Sequence, residues 1–290
     1  MKNSKELINL LSLERIEENI FRGQNFKAPW GQVFGGQVLA QALHAAQQTV
    51  PEGRKAHSLH AYFILGGDIN VPIIYDVDRI RDGGSFTTRR IVAIQKGRPI
   101  FNMAASFQLE QEGFDHQIKM PKVPSPEDLL TDQELIEKWK KSAPHLYEYF
   151  KRYRFNRPIE FRPVEQFNPA ERKKAKPYRN IWMKAKGKVP AKNKAMHQQM
   201  LTYASDYNLL ATALLPHRKD FDPGVLQLAS LDHGMWFHRD FKMDDWLLYS
   251  LDSPSASNAR GFTRGNIFNQ QGQLVASVVQ EGLIRKWKKK

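Results

Sequence analysis

The chain contains no cysteine among its 290 residues. That excludes disulfides, thiolate-held zinc and a cysteine nucleophile together, and it suits a reducing compartment. Long apolar runs are also missing, so nothing in the sequence is predicted to span a bilayer. Met1 to Phe21 alternates charge with short apolar pairs and has no continuous apolar core of the kind a signal peptide needs. No GxGxxG follows a strand pattern, and there is neither a Walker loop nor a GxSxG elbow. Nucleotide redox chemistry, phosphoryl transfer and the elbow type of serine hydrolase lose their main support. The expectation is a soluble, cytoplasmic protein whose chemistry uses oxygen or imidazole groups. The C-terminal Lys286-Trp287-Lys288-Lys289-Lys290 lacks a Ser-Lys-Leu peroxisomal address, in keeping with that expectation.

What is present begins with charge. The formal net charge is +14, and Lys138 to Lys194 alone holds 18 basic against 4 acidic residues, leaving 26 of each sign elsewhere. Trp139, Tyr147, Tyr149, Tyr153 and Phe155 are interleaved there, without a zinc-finger, KH or RRM signature. The segment reads as a solvated connector, or alternatively as an attractor for an anionic ligand such as a coenzyme phosphate. No nucleic-acid partner is expected.

The chain also repeats itself. Ser58-Leu59-His60-Ala61-Tyr62-Phe63 opens a run that closes at Gln108, and Ser230-Leu231-Asp232-His233-Gly234-Met235-Trp236-Phe237 opens one that closes at Gln280. Both pairs differ by 172, and between them come Arg89 and Arg90 or Arg260 and Arg264, then Gly97 or Gly272. At the same offset Asp206 corresponds to Phe34, so the first copy should lack a carboxylate base. A helix is predicted from Gln32 to Val50, followed by strands His57 to Ile64, Ile73 to Ile80, Phe86 to Ile94 and Pro99 to Leu109. Helices Glu127 to Lys141 and His145 to Arg154 should lie in the connector. The second unit should have strands Ile159 to Val164 and Tyr178 to Lys186, a helix Lys194 to Leu215, then strands Val225 to His238, Trp246 to Leu251, Ala259 to Phe268 and Gln273 to Leu283. This is an α+β class with three parts, residues 1–112, 113–156 and 157–290, in which two antiparallel sheets each wrap a long helix and either join or face one another.

Asp206 falls on the edge of the apolar face made by Met200, Tyr203, Tyr207, Leu210 and Leu214. A carboxylate there needs hydrogen-bond donors, and Ser230 and Gln280 are the groups that the repeat singles out. The three could hold a water with Asp206 as proton acceptor, or be a satisfied structural cluster. His57 with His60, and His233 with His238, lack the carboxylate or thiolate neighbours of a metal site and read as core or surface imidazoles, so no metal is expected. Gly35 and Gly36 at a helix start admit close packing, or expose backbone N–H groups to a ligand.

In these residues the chain resembles the acyl-CoA thioesterase II family of double hot-dog enzymes. The resemblance runs from about Leu7 to Gly282 and is carried by Phe34-Gly35-Gly36-Gln37, Tyr75-Asp76-Val77, Ser85-Phe86, Tyr203-Ala204-Ser205-Asp206, Leu231-Asp232-His233, Met235-Trp236-Phe237-His238, Trp246-Leu247-Leu248-Tyr249 and Val279-Gln280-Glu281-Gly282. Ile64-Leu65-Gly66-Gly67-Asp68 departs from it where many relatives have Arg-Pro-Gly-Asp. The resemblance implies a tandem hot-dog fold and hydrolysis of acyl-CoA by a water held by Asp206, Ser230 and Gln280. It implies no metal or redox cofactor, and a homo-oligomer of two or four copies. Gly35, Gly36 and His57 are expected to meet substrate, with one active site per chain. Two rivals remain, an enoyl-CoA hydratase using an Asp and a His, and an acyl-CoA binder without turnover.

Overall fold

Period-two burial sets the strands. In Phe86–Gln95 the residues Thr87, Arg89, Ile91, Ala93 and Gln95 turn inward while Phe86 and Arg90 face solvent, as pleating requires. The structure is a computed structural model and describes residues 1–154, 157–168, 171, 173–221 and 226–286. Phe155, Val225 and residues 287–290 of the basic tail lie outside the described residues.

The first half consists of α1 (Ser4–Leu11), β1 (Glu14–Glu17), β2 (Ile20–Gly23), α2 (Gly35–Gln47), β3 (Arg54–Phe63), β4 (Ile73–Asp82), β5 (Phe86–Gln95) and β6 (Arg98–Leu109). The connector carries α3 (Asp132–Ser142) and α4 (Pro144–Arg154). Helix α3 starts five residues later than expected because Thr131 and Glu134 form a capping box there. The second half has β7 (Ile159–Pro163), β8 (Tyr178–Ala185), α5 (Lys194–Ser205), α6 (Leu209–Ala213), β9 (Leu226–Ser230), β10 (Asp232–Phe237), β11 (Leu247–Ser257), β12 (Arg260–Asn269) and β13 (Leu274–Lys286).

The strands form one 13-stranded sheet in the order β1-β2-β4-β5-β6-β3-β10-β13-β12-β11-β8-β7, with β9 also paired to β13. Of the two arrangements left open by the sequence, the half-sheets join, through an antiparallel β3–β10 seam running from Asp232↔Tyr62 to Trp236↔Ser58. Helix α2 is buried almost all round, with Ala40, Ala42, Ala45 and Ala46 letting neighbours come close. Its companion α5 runs antiparallel to it. Gln47 near the end of α2 donates to Gln198 (3.2 Å) and accepts from Gln199 (2.6 Å) near the start of α5. Among the described residues no helix is long and apolar enough to cross a membrane.

Two expectations fail locally. The helix predicted from Lys194 to Leu215 stops at Ser205, with Asp206 as its C-cap, because Asn208 takes a left-handed conformation at φ 72° before α6 begins. The strand expected from Val225 to His238 is two strands, with Leu231 between them donating its N–H to the Glu281 carbonyl.

The repeat is real, but its offset is not uniform. Buried Tyr75 pairs with Ala93 and buried Tyr249 with Ile267, so these strand positions correspond at 174 residues apart. The same ladders set Leu59↔Ala105 against the His233 and Gln280 positions, and Ala56↔Phe107 against Ser230↔Gly282. The helix lying against β4 to β6 is α2, and the one lying against β11 to β13 is α6, so Asp206, just before α6, answers to the stretch just before α2, where Phe34 stands. Ser58 and Gln108 do not stand in for Ser230 and Gln280. Ser58 pairs with Ser106 and Gln108 with Lys55.

Candidate active site

Asp206 sits where the end of α5 meets the start of α2. Its Oδ2 accepts from the Gly36 N–H at 2.9 Å, so the first half of the chain grips the carboxylate of the second. Both glycines are required by this approach. A Cβ on Gly36 would lie 2.4 Å from the Tyr203 carbonyl oxygen, and one on Gly35 would lie 2.8 Å from Asp206 Oδ2. The two readings of this motif merge, since the close packing is what delivers an N–H to a carboxylate. The Gly36 N–H is engaged by Asp206, which removes it from the donors expected for a substrate oxygen.

Ser230 donates to Asp206 Oδ1 across 3.3 Å and accepts from Gln280 Nε2 at 2.8 Å. Gln280 Oε1 is then left as an acceptor, and His233 Nδ1 meets it at 2.7 Å. The direction of these bonds assigns the hydrogen of the neutral imidazole to Nδ1. His233 Nε2 lies 3.0 Å from Ser205 Oγ. A directed chain results, from imidazole to amide to hydroxyl to carboxylate, each member orienting the next.

The structure brings Asp206, Ser230, Gln280, Gly35 and Gly36 together. His57 is placed elsewhere: its Nε2 is 2.8 Å from Ser106 Oγ and its ring is edge-on to Phe86, six residues along β3 from the Phe63 ring that borders Gly35. His60 stacks edge-on against Trp236, and His238 lies 3.0 Å from Ser277 Oγ. Sequence reasoning missed the role of His233. Its adjacency to Ser230 was visible, but its bond to Gln280 depends on the cross-strand register. Phe34 belongs to this same site, with its ring against Tyr203 (5.2 Å) and Tyr207 (4.5 Å).

Burial pushes the Asp206 carboxyl above the ordinary carboxylate range, opposed by the nearby imidazole and by bonds from Gly36, Ser230 and Gln280. Burial likewise lowers His233, opposed by the Asp206 charge. Asp206 is also at the negative end of the α5 macrodipole, which disfavours its ionised form further. Ser230 and Asp206 are partly open to solvent, whereas Gln280 and His233 are closed off. The set can therefore present a basic carboxylate and a hydroxyl to a small molecule while its inner members stay fixed.

A continuous sheet around paired central helices, with a partly open carboxylate and hydroxyl linked to a buried carboxamide, defines the tandem hot-dog class. The profile of the family described as "Acyl-CoA thioesterase" matches residues 150–283, and that of "Acyl-CoA thioesterase N-terminal domain" matches residues 26–108. The chain is 42% identical over 279 residues to "Acyl-CoA thioesterase 2" of Haemophilus influenzae, covering 96% of each. It is 41% identical over 285 residues to human "Acyl-coenzyme A thioesterase 8", covering 95% of this chain and 88% of the other. Its fold is shared with the crystal structure of an acyl-CoA thioesterase II, TesB2, from Mycobacterium marinum, at a TM-score of 0.78 and 39% identity over 96% of this chain and 98% of that one. The chain belongs to the acyl-CoA thioesterase family and is a thioester hydrolase.

Proposed function

We propose that the protein hydrolyses fatty acyl-CoA to free fatty acid and CoA by direct attack of water, with Asp206 as the base. The observation that carries this reading is the directed bond chain ending on a partly open carboxylate whose proton affinity is raised by burial. Ser230 gives its one hydroxyl hydrogen to Asp206, and in this reading it orients the water. Water bound between Asp206 and Ser230 would lose a proton to Asp206 as its oxygen meets the thioester carbon, and the thiol of CoA would leave with that proton. His233 positions Gln280. The Gly35 N–H at the start of α2 is the backbone donor proposed for the thioester oxygen.

The hydratase alternative requires an imidazole open to substrate. His233 is the histidine beside Asp206, and it is buried with both nitrogens engaged. The three-part division of the chain, a cytoplasmic location and self-association belong to the same proposal. Self-association is supported by Tyr62, 62% exposed on the outer face of the seam, and by Ile64 and Leu65 beside it.

The test is release of free thiol from acyl-CoAs by the wild type and Asp206→Asn. The wild type should release thiol, and the variant should lose on the order of a hundredfold to ten-thousandfold in kcat. Near-wild-type turnover by Asp206→Asn would remove the carboxylate from the mechanism.

A further inference from the structure

A cavity of about 350 Å³ lies beneath the connector helices. Its floor is Leu226 and Leu228 of β9 with Ala211 and Leu214 beside α6, and its roof includes Trp139 of α3 and Phe150 of α4. The roof rings brace one another edge-on, with centroids 5.5 Å apart.

We infer that this cavity is the channel for the apolar acyl tail of the thioester, an assignment that rests on the proposed function. Four features carry it. Leu226, Leu228 and Ser230 alternate along one strand, so the catalytic hydroxyl and the cavity floor share one face of β9. From Ser230 to Leu226 the strand runs about 13 Å, a distance suited to a medium or long alkyl chain. Also in the floor, α6 begins three residues after Asp206, so the carboxylate and Leu214 belong to one stretch of chain. Finally, three of the charged residues at the lining are committed elsewhere. Asp132 pairs with Arg157, Glu165 accepts from Asn180, and Arg218 donates to the Asn168 and Lys173 carbonyls. An apolar volume whose floor strand also carries Ser230 suits an acyl tail rather than a headgroup.

Leu228 is 44% exposed, which is unusual for a leucine in a sheet and is explained when a substrate covers it. The connector then has a function. It is the roof that separates a chain-length-sensitive thioesterase from one with an open groove.

The experiment compares thiol release from butyryl-, octanoyl- and palmitoyl-CoA by the wild type, Leu228→Trp and Trp139→Ala. Tryptophan at Leu228 fills the channel beside Ser230, and the palmitoyl to butyryl ratio of kcat/KM should fall at least tenfold. Trp139→Ala opens the roof, and the ratio should fall several-fold, at about fourfold per methylene left uncovered. Because Leu228 is exposed and Trp139 lies in the connector, the two variants do not share a route to misfolding, and circular dichroism checks each. Unchanged ratios in both folded variants would overturn the channel while leaving the hydrolase reading intact. Absence of thiol release from every acyl-CoA by the wild type would instead overturn the hydrolase reading and the channel with it.

Discussion

At the positions where the C-terminal half carries Asp206, Ser230, His233 and Gln280, the N-terminal half carries Phe34, Ala56, Leu59 and Ala105. All four counterparts are apolar. The two halves have the same scaffold of helix and meander, but only one buries a linked polar set. Burying such a set costs stability unless every member finds a partner, and the Gly36 N–H and Ser205 hydroxyl complete the partners on this side. The N-terminal half contributes an N–H and an aromatic wall instead of a second centre. Duplication has here produced one scaffold half and one chemical half.

The sharpest way to break this contrast is to compare the two helix caps, Gln48 of α2 and Asp206 of α5. Gln48→Ala should leave kcat within about twofold of wild type in the free-thiol assay, against the hundredfold or greater loss expected for Asp206→Asn. A comparable loss at both caps would mean that the first half contributes chemistry as well as support.

Next in size is His233→Leu, which gives the second half the residue found at Leu59. Loss of the bond to Gln280 should lower kcat about tenfold. The pH profile separates positioning from mere packing. Asp206 acts as a base only when ionised, so kcat/KM of the wild type should rise with pH through a midpoint above the ordinary aspartate value of about 3.9. His233 holds Gln280, whose bond opposes the upward shift of Asp206, so its removal should move that acid limb to still higher pH. A variant with lower kcat and an unmoved limb would reduce His233 to a packing residue.

Gly36→Ala tests the contact between halves and is read through stability, because the Gly36 N–H also holds Asp206. A methyl 2.4 Å from the Tyr203 carbonyl must push α2 away from α5. The cost should be about 1–3 kcal/mol, or several degrees in the calorimetric Tm. An unchanged Tm would mean that the helices are not held at this distance.

Much of this was legible in the sequence, for identifiable reasons. The β4 to β6 and β11 to β13 strands have alternating burial and Gly turns, so their spans were predicted to within a few residues, except that β11 runs on to Ser257, six residues past its expected end. Asp206, Ser230 and Gln280 could be singled out because a carboxylate on an apolar face demands partners. The break after Asp206 was hidden because Leu209, Leu210 and Leu214 continue the helical spacing beyond Asn208. Strands β1 and β2 are four residues each, and β1 is exposed throughout, which leaves no periodicity to read. The pairing of His233 with Gln280 and the counterparts of Ser230 and Gln280 in the repeat depend on ladder register. A single sequence offset could not represent either.

The β3–β10 seam joins residues about 170 positions apart, as in Asp232↔Tyr62. During synthesis at roughly 5–20 residues per second, β3 therefore waits on the order of ten seconds or more for its partner to leave the ribosome. Throughout that interval it is an unpaired edge beside exposed Tyr62, open to pairing with a neighbouring nascent chain. Asp206 likewise reaches its Gly36 donor only after the second helix has emerged. The yield of active enzyme should thus depend on what shields the first half while the second is still being made.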